Sequence, residues 1–187
     1  MEPEVFASGV ENVGATLVPF DQSDLVERRP YMHEGACYAF VLAWIRRQRE
    51  IASNRPVTGK TQTVEDVSWL SEQKNRGNIS ESSDLFLRGN GLRSDGAIGF
   101  RDVDWHKLWF FLSARPGYYI VGVAPAIGSG HAIGFDTTNG SAIMFEPNYG
   151  AVTFNSAQDM KRFFGQFWGK AYPDLARGVK ATIQRYV

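Results

Sequence analysis

The chain has 187 residues, 43% of them hydrophobic and 21% charged, with 20 basic side chains against 20 acidic. This length fits one globular domain with a full core, and a net charge of zero excludes the broad basic footprint of a nucleic-acid binder. A single cysteine excludes an intrachain disulfide framework and any Cys₄ or Cys₂His₂ zinc site.

The acidic start, Met1-Glu2-Pro3-Glu4, is followed by no apolar core, so no cleaved Sec signal is expected. Residues 1–30 lack periodicity and read as an irregular arm with one short strand near 15–18; residues 31–187 read as one domain. A helix is predicted from about Gly35, because Cys37, Phe40, Val41 and Trp44 recur at three- and four-residue spacing. Its end carries Arg46, Arg47 and Arg49, where cations complement the helix dipole. Residues 51–62 read as a loop. Thr63, three before Asp66, predicts the N-cap of a second helix running to about Asn75. The stretch 77–99 is rich in Gly, Ser and Asn, with a short helix expected over 83–88. A third helix is expected over 103–113, ended by Arg115-Pro116-Gly117.

The pattern then changes. Residues 118–124 form a β-branched and aromatic run, and the stretch 118–135 is broken by Pro125 and four glycines, which excludes a membrane span. Residues 131–136 and 141–146 alternate about Asn139-Gly140, a strong hairpin signal. A strand follows over 151–154. Ser156 with Asp159 caps a helix whose stripe is Met160, Phe163, Phe164 and Phe167, and 180–187 reads as a last strand. Helices first and an antiparallel sheet later define an α+β layout.

The chemistry centres on Cys37. A helix N-terminus carries about half a positive charge and favours the reactive thiolate, which needs an imidazole partner. Of three histidines, His106 lies within a predicted helix and His33 just outside one. His131 opens a strand directly after Gly128-Ser129-Gly130, where small residues leave room for a substrate. A two-residue hairpin loop places His131 opposite Asn148; a four-residue loop places it opposite Glu146. Both registers put His131, Ile133, Phe135, Met144, Glu146 and Asn148 on one sheet face. Directly opposed Cβ atoms lie about 5 Å apart and diagonal ones about 7–8 Å, so Glu146 reaches the ring either way and fixes its tautomer.

Three blocks carry a family resemblance: Gly35-Ala36-Cys37 opening a helix with Trp44 seven on, Gly130-His131-Ala132-Ile133 on a strand, and Phe145-Glu146-Pro147-Asn148-Tyr149-Gly150. In order and spacing the chain resembles the YopT/AvrPphB-type cysteine proteases, papain-like effectors that bacteria inject into host cells. The resemblance implies a nucleophile helix packed on an antiparallel sheet. It implies Cys37 as nucleophile, His131 as general base and Glu146 in the place of the family's aspartate. Asn148 is the alternative orienter. Gln22, with the Cys37 N–H, is the expected oxyanion hole. It further implies a host protein or peptide substrate, no metal or other cofactor, and delivery by a non-Sec, type III-like route from a bacterial cytoplasm.

The same residues serve deamidation or acyl transfer, and a catalytically silent binding module would keep the fold. Thr58-Gly59-Lys60-Thr61 lacks the opening glycine of a phosphate loop, and no His, Asp and Glu cluster has metal-ligand spacing.

Overall fold

The computed structural model describes residues 3–20, 36–100, 105–124, 130–172 and 180–187. In chain order they form α1 (Pro3–Asn12), β1 (Thr16–Pro19), α2 (Ala36–Ala52), α3 (Lys60–Asn75), α4 (Ile79–Arg88), β2 (Ser94–Phe100) and α5 (Trp105–Ala114). Then come β3 (Tyr118–Ala124), β4 (His131–Asp136), β5 (Ala142–Glu146), β6 (Gly150–Phe154), α6 (Ala157–Phe163), a π-helical turn (Phe164–Trp168), α7 (Gly169–Ala171) and β7 (Lys180–Tyr186). The strands make one seven-stranded antiparallel sheet in the order β1-β6-β5-β4-β3-β7-β2.

Helices cover both faces. Residues of α1, α5, α6 and the π turn pack on Tyr119, Val121, Ile133, Phe135 and Met144. Residues of α2, α3 and α4 pack on Tyr118, Ile120, Ala132 and Phe145. β3 lies in the middle of the sheet and is buried on both faces, which is why its sequence is continuously apolar rather than alternating. β6 alternates buried with half-buried residues. The α+β arrangement expected from the sequence is present, with the Cys37-bearing helix packed on an antiparallel sheet. The sheet also recruits β1 and β2 from the N-terminal half, one at each edge.

The differences have local causes. Residues 3–12, expected to be irregular, are helical: Pro3 suits the first turn, and Phe6, Gly9 and Val10 bury a stripe too short to register as periodicity. The second helix begins at Lys60 with Gly59 as N-cap. Thr63 therefore lies inside it, its hydroxyl donating back to the Gly59 carbonyl at 3.0 Å. The helix expected at 83–88 begins at Ile79. β2 was not foreseen, because Gly96 and Gly99 disfavour strands. It forms by pairing along β7, with a bulge between Ser94 and Ala97 and with Asp95 bound to Arg115 and Arg185. In the last helical region a π turn covers Phe164–Trp168, and Trp168 is fully enclosed. The N-cap at Ser156 forms as expected, accepting from the Asp159 N–H at 3.2 Å.

One packing contact sets the site. A Cβ on Gly134 would meet the Trp44 ring at 2.9 Å and Val41 at 3.1 Å, so α2 lies against β4 there. Seven residues back along α2 is about 10 Å, and three residues back along β4 is about 10 Å. The two elements run parallel, so Cys37 at the head of α2 arrives at His131 and Ala132 at the head of β4.

Candidate active site

β4 and β5 pair as Gly134↔Phe145, Phe135↔Met144 and Asp136↔Ile143. This is the register of the two-residue Asn139-Gly140 loop, with Gly140 at φ +77°. Glu146 therefore falls opposite Ile133 and reaches His131 diagonally. The longer glutamate arm spans that diagonal: His131 Nε2 lies 2.8 Å from both carboxylate oxygens. Glu146 is 0% exposed, and an unpaired carboxylate at that depth would cost several kcal/mol. It is well supplied. The Asn148 backbone N–H donates to Oε1 at 3.0 Å.

With Nε2 committed to Glu146, Nδ1 is the ring nitrogen left for the sulfur. Cys37 is 8% exposed. Burial pushes its thiol up, but the hydrogen bond and charge of His131, the Lys74 ammonium and the Ala132 backbone N–H together outweigh this and hold it below the ordinary thiol range. Lys74 is placed by the antiparallel α2–α3 pair. Arg46 binds Asp66 farther along that pair, which brings the end of α3 level with the start of α2. Burial pulls the His131 imidazole down, but the Glu146 charge and the hydrogen bonds of Cys37 and Glu146 raise it to about 10. Both directions favour the thiolate–imidazolium form of the pair, the form in which a thiol is nucleophilic.

The structure thus brings Cys37, His131 and Glu146 together from α2, β4 and β5. Asn148 sits one step away, its Nδ2 donating to the Tyr172 hydroxyl at 3.2 Å and its backbone N–H to Glu146. Gln22, His33, Gly128 and Ser129 lie outside the described residues. His106 lies in α5.

Sequence reasoning missed Tyr172. Its ring stacks on His131, with centroids 5.2 Å apart and planes at 28°. The available signal was weak: an aromatic residue at the end of a helix, beyond a π turn that broke the stripe. Among the described residues no group of three or more His, Cys, Asp and Glu side chains could hold a metal ion. Among them also no helix is long and apolar enough to cross a membrane.

The fold is similar to the papain-like fold of cysteine protease-like proteins. Residues 119–186 match the model of the peptidase family described as Yersinia/Haemophilus virulence surface antigen, the YopT/AvrPphB family. That span holds His131 and Glu146; Cys37 lies before it. The structure is similar to the Pseudomonas avirulence protein AvrPphB, at 11% identity and a TM-score of 0.57, over 83% of this chain and 94% of that one. It is also similar to PatoxP, a cysteine protease-like domain of the Photorhabdus asymbiotica toxin PaTox. There the identity is 14% and the TM-score 0.51, over 96% of this chain but 57% of that one. No curated protein sequence matches the chain. The family resemblance read from the sequence therefore stands on a match across the sheet region and on a shared fold.

Proposed function

We propose that the chain is a cysteine peptidase that acts on a host protein as a bacterial virulence effector, delivered by a non-Sec route. The observation that carries this reading is the buried sulfur–imidazole–carboxylate row, with thiol and imidazole driven in opposite directions. The Cys37 thiolate attacks the scissile carbonyl carbon, and the oxyanion that forms takes a hydrogen bond from the Cys37 backbone N–H. The N–H groups of a helix's first turn have no partner within the helix; Gln22 is the proposed side-chain donor. The His131 imidazolium gives its proton to the departing amine, leaving a thioester and a neutral ring. Neutral His131 then takes a proton from water, whose oxygen attacks the thioester carbon, and the sulfur leaves as thiolate beside the imidazolium, which restores the starting pair as the acid product is released. Glu146 holds the ring and stabilises its charged form throughout.

The testing experiment is identification of new protein N-termini in host-cell extracts treated with the wild-type chain or with Cys37→Ala. Cleavages confined to the wild type support a peptidase. Side-chain amide loss without new N-termini would replace proteolysis with deamidation by the same residues. No chemical change, with the biological effect kept by Cys37→Ala, would leave a binding module.

A further inference from the structure

We propose that Tyr172 is a positioning residue of this site, its ring roofing the His131 imidazole and its hydroxyl held by Asn148 beside Nε2, while Tyr149 and Phe6 of α1 hold that ring in place. The inference rests on the peptidase reading above.

Asn148 Nδ2 donates to the Tyr172 oxygen at 3.2 Å, and the Glu146 charge acts on the phenol. The phenol oxygen also lies 3.5 Å from His131 Nε2, so it shares the space between ring and carboxylate. Burial and the Glu146 charge keep the phenol well above its ordinary range, so it remains a donor wherever the thiolate pair exists.

The ring is fixed by neighbours from three elements. Trp168 of the π turn lies 4.4 Å away between centroids, and the Tyr172 backbone N–H donates to the Trp168 carbonyl at 2.8 Å. Tyr149, in the β5–β6 turn, meets it edge-on at 6.3 Å. Tyr149 is stacked at 4.5 Å and 19° on Phe6, which is fully buried against Phe163. The N-terminal helix therefore reaches the imidazole through two tyrosines.

The roof matters because the strength of the His131–Glu146 attraction depends on excluding water. Among the described residues the groups facing His131 are Cys37 from α2, Glu146 from β5 and Tyr172 from the end of α7; Lys74 of α3 acts on Cys37. Without the ring, water reaches the imidazole–carboxylate bond. The imidazole then returns toward its free value, and the thiolate loses its partner.

Because the chain has one cysteine, ultraviolet titration of the thiolate in the full chain reports this site alone. Tyr172→Leu removes both ring and hydroxyl. It is expected to raise the thiolate midpoint by about one unit, a tenfold loss of thiolate at mildly acidic pH. Tyr172→Phe keeps the ring and should shift the midpoint less, in the same direction, with an unchanged melting temperature. Should Tyr172→Leu fail to fold, Tyr172→Phe alone decides: a wild-type titration overturns the inference. Folded variants that both titrate like the wild type overturn it while sparing the peptidase reading. A wild type that titrates like free cysteine overturns both.

Discussion

Helix α2 carries a buried ionic cluster at each end, and the two differ in one respect. At its C-terminal end Arg46 binds Asp66 and faces Glu50, with its guanidinium 5.1 Å over the Phe86 ring. Glu50 also accepts from the Thr58 N–H at 2.9 Å and the Thr58 hydroxyl at 2.6 Å, and Asp66 accepts from Gln62 at 3.0 Å. Every carboxylate there faces a permanent cation or a fixed donor. At the N-terminal end Glu146 faces an imidazole and the imidazole faces a thiol, both able to pass a proton near neutral pH. Burial raises the stakes at both ends; only the end with exchangeable protons can do chemistry. The Arg46 cluster pins α2, α3 and the 53–59 turn so that the other end is held in register.

Substitutions separate the two roles. Glu146→Gln keeps the shape but offers a donor where the ring needs an acceptor. Turnover or active-site labelling should fall by about 10²–10⁴, with the circular dichroism spectrum unchanged. Glu146→Asp restores the family's aspartate yet withdraws the carboxylate by one methylene on a diagonal that the longer arm spans. Labelling should fall about 10- to 100-fold, and a rate equal to wild type would show that the strand adjusts freely. Glu50→Ala leaves Arg46 with one fewer partner in a buried setting, so denaturant unfolding should lose about 3 kcal/mol or more while the alkylation rate of Cys37 in the folded protein stays the same. A collapse of that rate would mean the clusters are coupled rather than divided. The smallest effect is Ser156→Ala, which removes the α6 cap. It should cost about 1 kcal/mol in unfolding and nothing in labelling.

Much of the site was legible because it is local. The hairpin about Asn139-Gly140 fixed which residues share a face, and parity alone put His131 and Glu146 together before the register was known. The apolar spacing of Cys37 and Trp44 located α2. What could not be read depends on contacts distant in sequence. β2 is glycine-bearing and exposed and exists because β7 offers an edge. α1 is helical because Phe6 and Val10 find the sheet face. Tyr172 reaches His131 only after a π turn has shifted the helix by a residue. Lys74 meets Cys37 through an antiparallel helix pair whose register rests on the Arg46–Asp66 contact.

The central claim is an activated thiolate at Cys37, and alkylation by iodoacetamide across pH tests it most directly. A thiol held below its ordinary range beside an imidazolium that persists to about pH 10 should react at mildly acidic pH well above the rate of a free thiol, and His131→Ala should abolish that excess. A rate that rises only with the ordinary titration of free cysteine, and is untouched by His131→Ala, would contradict the account.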